Sequence, residues 1–146
     1  MPDAIFILHA EDAYLEGLLI FSQLDLMGLP SLLSSDALGR RSRLEASDAY
    51  FELLYESPLV IAVASEQLFL SHSLVTFVLA AKDTKKLIPV TFREITNPPV
   101  WFEDPILLSR PENGDSQGWN QLSQLLLHRF GNLFWQFPKP LSPKIN

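Results

Sequence analysis

The chain has 146 residues, enough for one domain with its own hydrophobic core and too few for two domains of ordinary size. Its net charge of −6 argues against nucleic acid as a partner, because nucleic-acid binding requires clustered Lys and Arg. The absence of cysteine excludes disulfides, thiolate metal sites and a cysteine nucleophile.

The N-terminus carries Asp3 where a secretory signal would carry basic residues, and no apolar stretch reaches the roughly 18 residues that a membrane span requires. We therefore expect a cytoplasmic protein that does not insert into membranes. The apolar run from Ala4 to Leu8 predicts a strand buried on both faces. It stops at the polar cluster His9-Ala10-Glu11-Asp12, which we expect at the carboxyl end of that strand, where α/β proteins bind ligands.

The next elements alternate between helix and strand. Apolar residues at helical spacing predict a first helix over 13–27, and a short second strand over 29–33 contains Pro30, which favours a place near a sheet edge. The stretch 34–43 has no apolar period and holds three arginines, so we expect an exposed basic loop. A second helix follows from Arg43 and ends before Pro58.

The run 59–64 is the clearest strand, because it is β-branched and apolar throughout. A third helix is predicted as one element over 66–82, and its apolar residues cover nearly every face. Such a helix is either wholly buried or partly covered by another molecule. The basic turn 82–86 then leads into a fourth strand over 87–92, whose internal Pro89 predicts limited pairing on one side.

The C-terminal third holds a possible fifth strand at 106–108 and a last helix over 119–130, and a proline-rich tail follows from Phe134. Strands alternating with helices predict an α/β, flavodoxin-like, doubly wound parallel sheet of four or five strands with helices on both faces. We expect a domain over 1–133 and a separate tail over 134–146.

Sequence motifs exclude several common activities. The chain contains neither GxGxxG nor GxxxxGK[ST], which argues against the usual dinucleotide and phosphate-binding loops. His9, His72 and His128 fall on three different predicted elements without metal-ligand spacing, so no metal site is predicted. A Ser65, His9 and Asp12 triad lacks the GxSxG turn of a serine hydrolase.

The ligand-site candidates therefore lie where predicted strands end. His9, Ala10, Glu11 and Asp12 follow the first strand, and Ser65 follows the third. Glu11, Asp12 and Glu66 are weak candidates for catalytic acids. A simpler alternative for Glu11 and Asp12 is that they cap the following helix and complement its dipole.

Four sequence blocks together resemble a TIR (Toll/interleukin-1 receptor) domain. They are ILHAED, LGRRSRLEASDA, SPLVIAVASEQLF and KLIPVTF, in the family's order across about residues 3–130. The resemblance implies a signalling module that assembles with other TIR domains, including copies of itself, through the loop after the second strand. In this chain the resemblance assigns that loop, the BB loop of the family, to residues 34–43, with Leu38, Gly39, Arg40, Arg41 and Arg43 as contact candidates. A solvated basic loop is the alternative.

Phe69 and Leu70 of the predicted third helix are candidates for a second contact surface, because that helix is more apolar than burial in one domain requires. Arginine beside apolar Leu38 also suits contact with a neighbouring acidic surface.

Many TIR domains cleave NAD, and the resemblance supplies a test of that activity. The family's pattern S-x-W-C-x-x-E, laid on this chain, puts Ser73 at the tryptophan and Phe77 at the catalytic glutamate. Phenylalanine cannot stabilise the oxocarbenium-like charge that develops as nicotinamide leaves. We therefore expect an assembly module without cofactor or catalysis, with Phe77 on the wall of the ligand pocket. Two alternatives remain, an NAD-cleaving enzyme with a displaced acid and a domain that binds a nucleotide signal without cleaving it.

Overall fold

The computed structural model describes residues 4–34, 52, 55–110 and 116–134, with the side chains of 130–134 left aside. Within them, five strands alternate with helices: β1 (Ile5–Leu8), α1 (Tyr14–Leu26), β2 (Ser31–Leu33), β3 (Val60–Val63), α2 (Glu66–Leu70), α3 (His72–Asp83), β4 (Leu87–Thr91), β5 (Ile106–Leu107) and α4 (Gln117–Phe134). A 3-10 turn, Glu11–Ala13, joins β1 to α1.

The five strands form one parallel sheet in the order β2-β1-β3-β4-β5, which confirms the predicted flavodoxin-like architecture. Strands β1 and β3 are buried along their whole length because they lie inside the sheet and are covered on both faces. Pro30 immediately precedes β2, which lies at an edge of the sheet as predicted.

Alternate residues of the inner strands enter two separate cores. Ile5 and Ile7 of β1 pack on one face with residues of α1 and α4. Phe6 and Leu8 pack on the opposite face with residues of α2 and α3. Because side chains alternate along a strand, one short apolar run supplies both cores, and helices cover both faces of the sheet.

Proline at position 89 lies where a missing N–H costs no ladder bond. The N–H groups of Val60 and Ala64 donate to the carbonyl oxygens of Lys86 and Val90 at 2.9 Å, so even-numbered residues of β4 point their backbone toward β3. Pro89 therefore points its nitrogen to the other side. There β5 pairs only with Val90 and Thr91, so the predicted limit on pairing is confirmed.

The predicted third helix is wrong in one respect, because it is two helices and not one. Ser71 is extended (φ −83°, ψ 114°) and separates α2 from α3. Each helix has its own N-cap: Ser65 Oγ accepts from the N–H of Leu68 at 3.1 Å, and Ser71 Oγ accepts from the N–H of Leu74 at 3.2 Å. Two serine caps six residues apart were a readable signal for this break.

The apolar surface of that segment is only partly buried. Leu68 of α2 and Phe77, Val78 and Ala81 of α3 are core residues, whereas Leu70 is 78% exposed. The last helix is longer than predicted and runs from Gln117 through Phe134, so the first residue of the predicted tail is helical. Nearly all of the predicted basic loop and second helix falls outside the described residues; Tyr55 and Glu56, at that helix's end, are helical.

The edge strand β5 is held tightly by the start of α4. A Cβ atom at Gly118 would lie only 1.8 Å from the carbonyl oxygen of Leu107, so no other residue fits there without movement of the backbone. One residue further, Trp119 Nε1 donates to the carbonyl of Ser109 at 2.6 Å, and its ring meets Phe92 edge-on. These contacts fix the ends of β4 and β5 against α4.

Candidate functional site

A cleft of about 440 Å³ opens at the carboxyl ends of β3 and β4, the edge at which parallel α/β sheets bind ligands. We call it the carboxyl-edge cleft. It is lined by Asp12, Ala64, Ser65, Glu66, Phe69, Thr91, Arg93, Glu94, Ile95 and Thr96.

The first wall of the cleft joins the turn after β1 to the start of α2. The Oδ2 atom of Asp12 accepts from the backbone N–H of Gln67 at 3.2 Å, and Gln67 Oε1 accepts from the N–H of Asp12 at 3.3 Å. Ser65 Oγ caps the same helix. Asp12 and Ser65 thus already satisfy backbone donors at the start of α2. The simpler alternative, that Asp12 caps the helix that follows it, is wrong, because neither the 3-10 turn nor α1 has a side-chain cap.

The second wall is the chain that leaves β4. Thr91 Oγ1 donates to the carbonyl oxygen of Arg93 at 2.7 Å, which folds the chain back immediately after the strand. Arg93, Glu94 and Thr96 are exposed at the mouth of the cleft. This wall was missed at the sequence level, although the predicted carboxyl end of the fourth strand was the available signal, since parallel strands end at the same edge.

The described residues around the cleft carry a charge that is unfavourable for an anionic ligand. Among them, Asp12, Glu66 and Glu94 supply three carboxylates against one guanidinium, that of Arg93. This excess of negative charge opposes a pyrophosphate group, which binds best where positive charge or backbone N–H groups predominate.

His9 and Ala10 do not line the cleft, although the sequence placed them with Asp12. His9 is buried, and its backbone is tied to the Ser34 hydroxyl, which accepts from His9 N–H at 3.2 Å and lies 3.3 Å from the His9 carbonyl. Its Nδ1 lies 2.9 Å from the Ala10 carbonyl oxygen, which can only accept, so Nδ1 carries the hydrogen. A Cβ at Gly17 would lie 3.0 Å from the His9 ring.

Two more predicted ligand-site residues point elsewhere. Glu11 is exposed in the 3-10 turn and is not among the residues that line the cleft. Phe77 is 5% exposed and packs in the core with Phe6, Leu8 and Val60, on the face of the sheet that α2 and α3 cover. Of the predicted ligand-site residues, the structure brings together Asp12, Ser65 and Glu66.

The two predicted contact residues of α2 have different surroundings. Phe69 lines the cleft and meets Phe102 and Trp101 edge-on, at ring-centroid distances of 5.1 and 5.8 Å. Leu70 projects into solvent. The predicted loop contacts, Leu38, Gly39, Arg40, Arg41 and Arg43, lie outside the described residues, and their role stays a prediction.

Within the described ranges, no group of three His, Cys, Asp or Glu side chains could hold a metal ion. Over the same part of the chain, no helix is long and apolar enough to cross a membrane.

Comparison of the fold with solved structures finds a TIR domain. The structure is similar to the crystal structure of the TIR domain of the Toll-related receptor TRR-2 from Hydra magnipapillata, with a TM-score of 0.63. The match covers 84% of this chain and 96% of that domain. This chain has the TIR fold.

The sequence itself has diverged far within that fold. Identity to the Hydra TIR domain is 16%. No protein-family model matches the chain, and no curated protein matches it in sequence. The TIR fold therefore rests on the course of the backbone, and activity has to be argued from this chain's own side chains.

Proposed function

We propose that this chain is a signalling module of the cytoplasm that works by associating with other TIR domains, including copies of itself, and that it catalyses no reaction. The observation that carries the absence of catalysis is the burial of Phe77. The resemblance aligns this residue with the catalytic glutamate, and its side chain packs in the core away from the carboxyl-edge cleft. Position 77 thus lacks both the required carboxylate and access to a ligand.

The charge of the carboxyl-edge cleft supports the same proposal. Three carboxylates surround a space that, in an NAD-cleaving domain, would receive a dinucleotide with an anionic pyrophosphate. Two of the groups expected to contact a ligand, Asp12 and Ser65, are engaged in holding the start of α2. The polar groups of this wall hold the turn after β1 against the start of α2, which leaves fewer of them free to bind NAD.

Association is supported by the chemistry of two surfaces. The basic loop 34–43 combines Leu38 with Arg40 and Arg41 on a chain whose net charge is −6, so it complements the surface of a second copy. Leu70, at the end of α2, is a large apolar side chain in solvent, of the kind that protein contacts cover.

The test is self-association as a function of concentration. Light scattering of the parent should show growth in mass as concentration increases, and Arg40→Glu with Arg41→Glu should reduce that growth at least tenfold. The matched control is Lys85→Glu with Arg93→Glu, which changes the net charge equally at exposed positions outside the loop. Equal association of the loop variant and the parent would exclude the loop as the contact.

A second candidate function, NAD cleavage, is favoured by one observation: Glu66 and Glu94 both line the carboxyl-edge cleft and are exposed. Either could replace the glutamate that position 77 lacks. Incubation of concentrated, assembled protein with NAD should then release nicotinamide, and Glu66→Gln or Glu94→Gln should abolish that release. Absence of turnover in every assembled state would remove this candidate.

A further inference from the structure

The second region of interest is a groove at the opposite edge of the sheet, where β4 begins. It has a volume of about 370 Å³ and is lined by Lys82, Lys85, Leu87, Pro89, Trp101, Glu103 and Arg129. We call it the basic groove. Three of its seven lining residues are cationic, on a chain with a net charge of −6.

The groove exists because β5 is short. β5 pairs with Val90 and Thr91 only, so no strand among the described residues lies beside the first half of β4 on that side. Pro89 has no N–H to present to this gap. Because successive residues of β4 point their backbone groups to opposite sides, the N–H of Leu87 points into the gap. The gap is closed by the side chains of α3, α4 and the segment around Trp101, which together make the walls.

One of the three cations is already neutralised. Lys82 Nζ lies 3.0 Å from Glu103 Oε1 and donates to the carbonyl of Trp101 at 3.3 Å. This pair anchors Trp101 beside the groove. The remaining charges, Lys85 and Arg129, have no carboxylate partner among the described residues, so the groove retains an excess of positive charge.

Arg129 carries the observation that points to a ligand. Its Nη1 atom is buried, yet it has no hydrogen-bond partner within the described part of the chain. A buried guanidinium nitrogen without an acceptor costs free energy. Because Nη1 is closed to solvent, the Arg129 side chain has to turn toward the groove before an oxyanion there can accept from it, and that turn exchanges an unsatisfied buried N–H for a charge-assisted hydrogen bond. The planar fork of arginine matches the oxygens of a phosphate group.

The other walls of the groove suit an organic group attached to that phosphate. Leu87, Pro89 and the Trp101 ring are apolar and lie among the cations. Lys85 is exposed in the turn before β4 with φ of 62°, a left-handed conformation that holds its backbone in a tight turn. From this turn the Lys85 side chain lines the groove and stays exposed.

We infer that the basic groove is a binding site for a phosphate monoester, in which Arg129 and Lys85 bind the phosphate and Trp101 packs on the organic part. The carboxyl-edge cleft is a different site at the other edge of the sheet, and its charge is of the opposite sign. The inference is independent of TIR association and of NAD cleavage.

Binding is tested with the full chain by NMR, using inorganic phosphate and phenyl phosphate as probes at constant ionic strength. Phenyl phosphate should shift the indole N–H signal of Trp101 while that of Trp119 stays in place, since Trp119 is bonded to Ser109 on another surface. Phenyl phosphate should bind at least fivefold tighter than inorganic phosphate, because only phenyl phosphate has a group that packs on Trp101.

Three variants separate the site from general electrostatics. Arg129→Gln should weaken phenyl phosphate binding at least tenfold. Lys85→Gln should weaken it about threefold or more, and because Lys85 lies in an exposed turn this substitution should not unfold the protein. Arg110→Gln is the matched control, because it removes the same charge at the opposite edge, where Arg110 pairs with Glu16 at 2.9 Å. The affinity of Arg110→Gln for phenyl phosphate should stay within twofold of that of the parent.

A further arm identifies the source of the phosphate. Vesicles with and without a phosphatidylinositol phosphate are sedimented with the protein. If the protein sediments with the phosphoinositide vesicles and Arg129→Gln abolishes this, the site binds a lipid headgroup. If the protein binds phenyl phosphate but does not sediment with these vesicles, the site binds a small molecule. The inference is overturned if neither probe shifts Trp101, if Arg129→Gln binds as the parent does, or if polyglutamate binds in place of the phosphates.

Discussion

Replacing Phe77 with glutamate separates the two possible roles of position 77. If this position faces a catalytic cleft, Phe77→Glu restores the acid that NAD cleavage requires. If it is a core position, the same substitution places a carboxyl group among Phe6, Leu8 and Val60. The structure predicts the second outcome, because the Phe77 side chain is 5% exposed.

The size of the effect follows from two losses. Truncation of a buried phenylalanine costs about 3–5 kcal/mol, and an unsatisfied buried polar group adds about 1–3 kcal/mol. The sum, roughly 4–8 kcal/mol, is comparable with the whole stability of a domain of this size, about 5–15 kcal/mol. We therefore expect Phe77→Glu to be largely unfolded or barely stable at neutral pH.

The destabilisation should depend on pH in a defined direction. Burial disfavours the charged form, so the pKa of the introduced carboxyl lies higher in the folded protein than the value of about 4.3 in the unfolded chain. The unfolded chain then binds fewer protons above that pH, and stability falls as pH rises from about 4 toward the folded-state pKa. Thr76→Glu, one residue away and exposed, should lack this dependence.

The assay is urea denaturation followed by circular dichroism, together with nicotinamide release from NAD. Phe77→Met serves as the volume-conserving control and should cost less than about 1.5 kcal/mol. A Phe77→Glu variant as stable as Thr76→Glu at neutral pH would contradict a core position for residue 77, and a gain of NAD cleavage by that variant would place the residue in a catalytic cleft.

Three further predictions concern other parts of the fold. Gly118→Ala should lower the free energy of unfolding by about 1–3 kcal/mol, because its Cβ would overlap the carbonyl oxygen of Leu107. Ser65→Ala should cost about 1 kcal/mol in thermal denaturation, through loss of the cap on Leu68 N–H. Burial lowers the pKa of Lys86 from 10.5, so the stability of the parent relative to Lys86→Gln should rise as pH increases toward 10.5, measured by urea unfolding.

Each of these three has an outcome that contradicts it. Asn120→Ala on the same helix should be neutral or slightly stabilising, because alanine has the higher helix propensity, and a Gly118→Ala variant that gains stability in the same way would contradict the predicted overlap with Leu107. Ser65→Asp should retain the cap, so a loss equal to that of Ser65→Ala would exclude capping. For Lys86, a stability difference that stays flat or falls with pH would contradict the lowered pKa, since the unfolded chain then would not bind the extra proton.

Much of the fold could be predicted from the sequence, because local patterns carry it. The apolar run before His9 required a strand buried on both faces, and strands alternating with helices required a parallel sheet. Pro30 and Pro89 indicated where pairing is limited, and the structure agrees at both positions. The break at Ser71 was also encoded locally, since its hydroxyl begins a new helix.

The sites depended on contacts that sequence order does not contain. His9 and Asp12 are only three positions apart in the chain, yet they separate into core and cleft, because the turn after β1 passes from the sheet interior to its edge. Glu94 lines the same cleft as Asp12 only because β4 ends at the same edge as β1. Lys85, from a turn, and Arg129, from the last helix, line one groove because β5 is too short to fill the gap. The sequence alone determined the alternation of strands and helices that makes a parallel sheet, and the TIR fold was an expectation from its resemblance. The tertiary structure established that fold and decided that position 77 is core, since burial is a property of packing.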